Sequence, residues 1–573
     1  MNINKEIAKL KDLVPGQMSK SEQQLLLSMV ELLLQVLTLH QEEIQKLKDE
    51  VNRLKGEQGK PNIPGNTEKK SEEEEEKADE STTDLQIEKE DSPNHSSEAE
   101  RKEKKPKKNK AVKFDSSRKI DEEDVVKLED KEEFPDDIIF KGYATSHYQT
   151  LEIVSKLIAV KREIYYSASA QKTYTAPLPE AYDQGSDYTR ELKGHLIMLR
   201  TCFGMSIEQV GDFLRMNGVS ICDGTISNIV LEEGEVLKSE YEQIHRTGVE
   251  IGLFNQTDTT GARVNGVNYN SHVFGNEYYT AYFTRRHKDR QTVLDLLRSE
   301  QPRAYLLNEE TLAIYAYLKI PKKVTQLLDS LISRKALDQQ CFIKKIEQVL
   351  PKADYLRQKE KLLEGAYLAH YQSGDWLTVL VCDDAPQYKL LAVLIALCWI
   401  HIGRHFKKMN PKIKHHQELL AEFLKDFWHF YHKLKAYKKV PSFDAARKLD
   451  KEFDQLFSRK TGFDLLDQRI AKTKAKKQEL LVILKHPYVP LHNNEAELAA
   501  RKEVRYRDIS FQTRNKRGTL AKDVFFTIIQ TCKKLGVNPY TYILDKITRK
   551  KQITPLPQMM LQRTSPLQFT SNH

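Results

Sequence analysis

The chain has 573 residues, which excludes a single compact domain because one domain typically holds about 150 residues. Lys and Arg number 91 against 82 Asp and Glu, a net charge of +9, and only 39% of the residues are hydrophobic, so we expect part of the chain to be unfolded. The six cysteines show no paired C-x-x-C motif, no signal-peptide pattern opens the chain, and no apolar run reaches the ~20 residues of a membrane helix. These features exclude a disulfide scaffold, a zinc ribbon and a membrane protein. We expect a soluble, multidomain, intracellular protein.

The N-terminal segment carries a heptad repeat. Apolar residues recur at alternating spacings of four and three from Leu26 to Leu54, with His40 as the one polar member. A seam over about four heptads is typical of a left-handed coiled coil. Residues 1–60 are therefore predicted to form a helix through which the protein becomes a homo-oligomer, and docking of this helix on another domain of the same chain is the alternative.

Residues 61–133 have the composition of a linker. An acidic block (Glu72–Glu76) and a basic block (Arg101–Lys108) occur among few aromatic or branched aliphatic residues. Such a segment buries too little apolar surface to offset its chain entropy, so we predict disorder. The basic block is interpreted as a solvated linker, with contact to DNA phosphates as the alternative.

Residues 134–245 are predicted to be a helical DNA-binding region. Ser206 opens a helix in a capping-box arrangement with Gln209, a turn containing Gly218 follows, and Asp223 opens the next helix. This order is typical of a helix-turn-helix, in which small polar residues of the second helix meet base edges. Any helical hairpin gives the same pattern. The residues that would read DNA are Thr225, Ser227 and Asn228.

Residues 246–550 change to strand-like periodicity and indicate an α/β domain. Strand-like runs occupy Val249–Asp258, Ala262–Phe274, Tyr278–Thr284 and Trp376–Cys382. Helical insertions are predicted near 291–372 and 411–485. A last helix over Thr519–Leu535 ends at Gly536, and residues 551–573 are predicted to be a flexible tail.

Three acidic residues stand out by position. Asp258 and Asp383 each end an apolar strand, which is where α/β folds place ligands. Glu497 lies on a predicted helix with Asn493 four residues before it and Arg501 four residues after it. Carboxylates from two strands and a helix could hold two divalent cations ~4 Å apart, and magnesium suits such oxygen ligands. Strand-end acids are also common as turn and helix caps.

Four motifs carry a resemblance to a known family. They read TDTTGARVNG (257–266), LVCDDAPQY (380–388), ALCWIHIGRHF (396–406) and PLHNNEAELAAR (490–501). In this order they resemble the transposases of bacterial insertion sequences, most closely the insertion-sequence-66 family. Matching segments at 505–518 and 535–547 extend the resemblance over roughly residues 180–547.

The resemblance implies an RNase-H-like catalytic core with an Asp-Asp-Glu triad. It implies metal-dependent strand cleavage and strand transfer with two Mg²⁺ (or Mn²⁺) ions. The implied partners are double-stranded DNA, both element ends and target, and possible accessory proteins. The implied location is the cytoplasm, in association with the nucleoid.

The family's first and second acids fall on Asp258 and Asp383, with Asp384 as the fallback. Its Glu falls on Glu497, with Glu495 as the alternative. Two positions depart from the family pattern, because His492 and Leu498 replace an Asp and an Arg. The cysteine zinc segment frequent in the family is absent from the sequence. The residues assigned to DNA are Asn493, Asn494, Arg501, Arg505, Arg507, Arg514, Lys516 and Arg517.

Cys398 and His401 have the C-x-x-H spacing of half a tetrahedral metal site. A buried cysteine beside a hydrogen-bonded histidine is the favoured interpretation. For the whole chain, two other functions stay open: an RNase-H-like nuclease without strand transfer, and a catalytically inactive DNA-binding protein.

Overall fold

The computed structural model describes residues 151–564 apart from 180, 184, 375 and 376. It also describes residues 26, 27, 29–40, 43, 44, 47, 120, 121, 123–125 and 143. The predicted linker at 61–133 thus lies outside the described residues, except at 120, 121 and 123–125. The chain divides into two units, residues 1–41 with 153–573 and residues 42–152, and the elements below belong to the first.

The described part of the first unit combines helices and strands. The strands are β1 (Ile164–Ser167), β2 (Lys172–Thr175), β3 (Asn255–Val264), β4 (Val267–Gly275), β5 (Thr280–Arg285), β6 (Tyr305–Leu307), β7 (Ser333–Leu337), β8 (Leu377–Cys382) and β9 (Ala392–Leu397). The helices between β2 and β8 are α1 (Arg190–Thr201), α2 (Ile207–Met216), α3 (Asp223–Val236), α4 (Lys238–Ile251), α5 (Arg290–Leu297), α6 (Glu309–Tyr317), α7 (Lys322–Leu328), α8 (Gln339–Glu347) and α9 (Lys352–Gln372). The helices after β9 are α10 (Trp399–Lys407), α11 (Lys414–Lys439), α12 (Phe443–Leu456), α13 (Asp464–Lys474), α14 (Lys477–Leu480), α15 (Asn494–Ser510), α16 (Lys516–Lys534), α17 (Pro539–Thr548) and α18 (Leu556–Thr564).

A five-stranded mixed sheet forms the centre, in the order β5-β4-β3-β8-β9. Strands β3, β4 and β5 are antiparallel neighbours, and β8 and β9 extend the sheet in parallel from β3. The β3–β4 hairpin turns at Asn265 and Gly266, both with positive φ, as a two-residue Asn-Gly loop requires. The predicted α/β class is therefore confirmed.

Helices cover both faces of the antiparallel half of the sheet. Helix α15 packs on β3 and β4, and α16 packs on β5, where Tyr282, Tyr506 and Phe526 form a buried cluster. From α4, the Tyr241 hydroxyl donates to the Tyr282 carbonyl over 3.0 Å. Tyr282 pairs with Val273 and Val273 with Asp258, so these contacts hold the sheet at the level of Asp258.

The structure corrects several predicted elements. Val249–Ile251 is the end of α4 and not the start of a strand, because tertiary packing of this helix overrides the β preference of its branched residues. The predicted helical insertion at 291–372 contains a small antiparallel sheet of β6 and β7, and a strand, β9, was not predicted. The capping box of Ser206 and Gln209 is confirmed.

The two ends of the globular region also differ from the prediction. The β1–β2 hairpin lies within the region 134–245 that was predicted to be helical. Residues 556–564 form α18, and Leu556 and Met560 are fully buried, so this part of the chain is not a flexible tail. Residues 565–573 lie outside the described residues. Among the described helices, none is long and apolar enough to cross a membrane.

The helix at residues 29–40 is attached to the core through a buried carboxylate. Both oxygens of the fully buried Glu31 accept hydrogen bonds, from the backbone N–H of Lys412 at 2.7 Å and of Ile413 at 3.0 Å. Helix α11 starts at the next residue, and its cap residue Ile413 has no side chain that can cap it. Glu31 therefore supplies the cap and places a negative charge at the positive end of α11. This contact agrees with the alternative interpretation, in which the N-terminal helix docks on another domain of the same chain. Self-association through the heptad seam stays a prediction.

We expect Glu31→Gln to loosen the start of α11. Loss of the charge should cost about 1–2 kcal/mol locally and speed hydrogen exchange at the Lys412 and Ile413 amides roughly ten-fold, as measured by mass spectrometry. Glu418→Gln removes an exposed acid from the same helix and serves as the matched control. Equal exchange in wild type and Glu31→Gln would contradict the capping role.

A buried charge network joins α15, α16 and β5. The Lys522 ammonium donates to both oxygens of Glu503 at 2.7 and 2.8 Å and to the Thr284 hydroxyl at 3.0 Å. Asp523 accepts from the Thr284 backbone N–H at 2.7 Å and from its hydroxyl at 2.9 Å. Burial raises the pKa of Asp523, and one lysine offsets two acids here. Each charged group of the network has a hydrogen-bond partner, as buried charges require.

Lys522→Met should destabilise the protein by about 3–5 kcal/mol, because it leaves Glu503 and Asp523 buried without a cation. Chemical denaturation measures this change. Lys533→Met, at an exposed position of the same helix, should change the free energy of unfolding by less than about 0.5 kcal/mol. A similar value for both variants would show that the buried network contributes nothing beyond helix propensity.

Candidate active site

Asp258, inside β3, and Asp383, the residue after β8, lie near each other. The parallel strands β3 and β8 pair at Gln256 and Val381, and each aspartate lies two residues beyond its paired residue. Residues in register on adjacent strands point to the same face of the sheet, and so do residues two positions further along each strand. The two carboxylates therefore occupy the same end of the sheet.

The surroundings of Asp258 disfavour the negative charge of its carboxylate. Burial is the largest cause that raises its pKa, to about 6, and the negative charges of Glu497 and Asp383 raise it further. The Thr259 backbone N–H, which donates to Asp258 Oδ1 at 2.8 Å, and the Arg404 cation act in the opposite direction. The three acids are thus near enough to repel one another.

The structure separates Asp383 from its neighbour Asp384. Asp383 Oδ1 accepts the Ala385 backbone N–H at 3.1 Å and acts on the pKa of Asp258. Asp384 is engaged by two ammonium groups, Lys389 at 3.3 Å and Lys476. Asp384 is therefore neutralised by lysines and Asp383 is not.

Glu497 reaches the site from the first turn of α15. The Asn493 side chain, just before this helix, donates to the Thr257 carbonyl over 2.7 Å and so fixes the helix start beside Asp258. Glu495, the alternative acid, is exposed and pairs with Lys534 at 2.9 Å. Of the two glutamates, Glu497 is the one that faces the aspartates.

Two residues of α10 contact Glu497 and were not predicted as site residues. The Arg404 guanidinium donates to Glu497 Oε2 at 3.1 Å, and His401 Nδ1 lies 3.4 Å from Glu497 Oε1. Cys398, the residue before α10, is buried and accepts the Asn493 backbone N–H at 3.3 Å. The C-x-x-H spacing was a signal for His401, but its partner Glu497 is too distant in sequence for any local pattern to indicate.

A series of hydrogen bonds links the segment that carries Asp258 to the segment that follows Asp383. The Thr259 hydroxyl lies 2.8 Å from the Tyr388 hydroxyl and 3.3 Å from His272 Nδ1. The other ring nitrogen of His272 lies 3.0 Å from the His287 carbonyl. Burial lowers the pKa of His272 to about 4, so its ring is neutral near pH 7. Since Thr259 follows Asp258 and Tyr388 follows the turn after Asp383, these hydrogen bonds tie the two segments that carry the aspartates to each other.

The residues assigned to DNA fall into three groups. Asn493 is fully buried and corrects the prediction, because its amide holds α15 against β3 and cannot reach DNA. Arg507 donates to the Gly261 carbonyl at 2.6 Å, and Asn494 is half-buried. The remaining cations are exposed on α15, on α16 or between them: Arg501, Arg505, Arg514, Lys516 and Arg517.

The predicted helix-turn-helix residues lie at the start of α3. Asn228 is exposed, and Thr225 and Ser227 are half-buried. Helices α2 and α3 pack against each other, as the helix–turn–helix order requires. Whether they bind DNA stays a prediction.

Comparisons with known proteins agree with these motifs. The Transposase IS66 family matches residues 357–521, which include Asp383 and Glu497 but not Asp258. An uncharacterised protein of Sinorhizobium fredii (strain NBRC 101917 / NGR234), y4jO, is 32% identical over 312 residues, covering 53% of this chain and 94% of that protein. No solved structure matches the chain.

The ordered motifs, the mixed α/β core and these two matches lead to one assignment. The chain belongs to the IS66 family of transposases.

Proposed function

We propose that this protein is a DDE-type DNA transposase that cleaves the ends of an insertion sequence and joins them to target DNA. Asp258, Asp383 and Glu497 are the proposed catalytic and metal-binding residues, on an RNase-H-like core. The convergence of these acids from β3, β8 and α15 carries the proposal. The sheet order supports it, because an antiparallel meander extended by two parallel strands brings both aspartates to one edge.

The donor set fits Mg²⁺ or Mn²⁺. Carboxylate oxygens suit both ions, and a bound cation would offset the burial and the like charges that together raise the pKa of Asp258. When bound, two such ions would activate the attacking oxygen and stabilise the charge on the leaving oxygen.

Two displacements at phosphorus make up the proposed reaction. In the first, a water oxygen forms a bond to phosphorus and the P–O3′ bond breaks, which leaves a 5′-phosphate and a protonated 3′-hydroxyl. In the second, this 3′-oxygen loses its proton and bonds to a target phosphorus, and the target's own 3′-oxygen leaves and takes up a proton. In both steps the protein's part is to position groups and to stabilise charge.

The residues around the acids set this geometry. Arg404 orients Glu497 through Oε2, Asn493 fixes the start of α15, and the Tyr388–Thr259 contact fixes the two aspartates. The exposed cations of α15 and α16 would hold the DNA backbone by charge.

Other parts of the chain have supporting roles in this proposal. Helices α2 and α3 would read the element ends. The N-terminal heptad seam would pair two copies, since Leu26, Leu33 and Leu37 are exposed. Action on the bacterial chromosome implies a cytoplasmic, nucleoid-associated protein, with accessory proteins as possible partners.

Asp258→Asn and Asp383→Asn should each lower Mg²⁺-dependent strand cleavage by at least a hundred-fold, because each removes a charge that holds the cations. Binding to element-end DNA should stay within about three-fold of wild type, as measured by fluorescence anisotropy. Glu495→Gln, an acid on the same helix as Glu497 that faces away, is the control and should cleave normally.

The products distinguish the two alternative functions. Joined strands in an assay with labelled ends support a transposase, whereas cleavage without joining identifies a nuclease. Cleavage retained in both Asp variants refutes the triad. DNA binding without any cleavage by the wild-type protein would identify an inactive DNA-binding protein.

The double variant Arg505→Ala, Arg514→Ala should weaken binding equally for DNA of any sequence, because contacts to phosphate do not depend on the bases. Each phosphate contact contributes about 0.9 to the slope of log K against log salt, so loss of two contacts should reduce the slope by roughly 2. Anisotropy titrations at several salt concentrations measure it. Alanine at Arg334 and Lys335, exposed on β7, removes the same charge elsewhere, and an equal slope change there would contradict a DNA path along α15 and α16.

A further inference from the structure

His401 has a nitrogen that the protein leaves without a hydrogen bond. Its Nδ1 atom is buried and has no hydrogen-bond partner, although Glu497 Oε1 lies only 3.4 Å away. A buried polar atom without a partner costs about 1–3 kcal/mol. An imidazole nitrogen with no hydrogen-bond partner in the protein can offer its lone pair to a cation.

The surroundings of this nitrogen are those of a metal ligand. Among the described residues, one group of three metal-binding side chains meets here: Cys398, His401 and Glu497 have ligand atoms within 4.8 Å of one another. Ligand atoms lie about 2.0–2.2 Å from a small divalent cation, so two ligands of one ion are roughly 3.0–3.5 Å apart. The Nδ1–Oε1 distance of 3.4 Å fits this spacing.

The other members of the group have different tasks. Cys398 is completely buried, and its sulfur accepts the Asn493 backbone N–H. We therefore assign it to packing and to holding the start of α15. Arg404 donates to Glu497 Oε2, which leaves Oε1 directed at His401, the arrangement by which an outer partner orients a ligating carboxylate.

We infer that His401 Nδ1 is a fourth protein ligand, which shares with Glu497 Oε1 one of the divalent cations of the active site. The inference rests on the proposed function and adds a nitrogen donor to three carboxylates. Imidazole suits transition metals, whereas Mg²⁺ prefers oxygen. His401 should therefore give the site a preference for Mn²⁺ over Mg²⁺.

The test uses the full-length protein loaded with Mn²⁺ alone. Pulsed electron paramagnetic resonance should detect nitrogen coupling to Mn²⁺ in the wild type, and ¹⁵N-labelled histidine should change it. The coupling should vanish in His401→Ala and persist in His405→Ala, whose side chain lies one turn further on α10 and is exposed. By calorimetry, His401→Ala should lower Mn²⁺ affinity at least ten-fold and Mg²⁺ affinity less.

The outcomes separate the two proposals. Mn²⁺ binding that needs Asp258 and Asp383 but shows no nitrogen coupling overturns the role of His401 and leaves the triad standing. Mn²⁺ binding that is unchanged in Asp258→Asn and Asp383→Asn overturns the metal site itself. Because the wild-type spectrum alone reports the coupling, the test does not depend on the folding of any variant.

Discussion

The short parallel pairing of β3 with β8 is the constraint on which the site depends. Only Asn255–Leu380 and Gln256–Val381 are in register, after which β8 ends and β3 continues into its hairpin with β4. The strands therefore separate just where Asp258 and Asp383 occur, and the gap that opens is lined by carboxylates. This is the point where the antiparallel half of the sheet meets the parallel half, and crevices for ligands form at such changes of strand order.

The site concentrates features that weaken a fold. Burial, with like charges beside it, raises the pKa of Asp258, and Gln256, Thr257 and Asn493 each have a buried side-chain oxygen without a hydrogen bond. Each such atom destabilises the fold by about 1–3 kcal/mol. By contrast, the neighbouring strand β8 contributes the fully buried apolar side chains of Leu380 and Val381. Unpaired polar atoms and neighbouring like charges are therefore concentrated where β3 and β8 carry the aspartates. Such a concentration in an otherwise well-packed sheet is typical of a functional site.

Sequence patterns predicted the features that local chemistry determines. The strand end before Asp383 and the cap at Ser206 follow from short-range rules, and the motifs directed attention to Glu497. The predicted strand end at Asp258 was wrong, because Asp258 lies inside β3 (Asn255–Val264). The helical Val249–Ile251 was assigned to a strand because branched residues favour strands until packing decides. Strand β9 was missed because a continuous apolar run has no period. The contact of His401 with Glu497 could not be predicted from the sequence, because it depends on where the chain returns to the sheet after a long helical insertion.

That return explains how so large an insertion leaves the site intact. The Trp399 backbone N–H, at the start of α10, donates to the Leu491 carbonyl at 2.9 Å, and Asn493 then ties the chain to Thr257. The insertion therefore leaves and rejoins the core at adjacent points. The free-energy cost of closing a loop grows only by about 0.6 kcal/mol per doubling of its length. The length of helices α11 to α14 therefore adds little to the cost of bringing these two ends together. The insertion is free to vary in length as long as both pinned ends keep Glu497 beside His401 and Asp258.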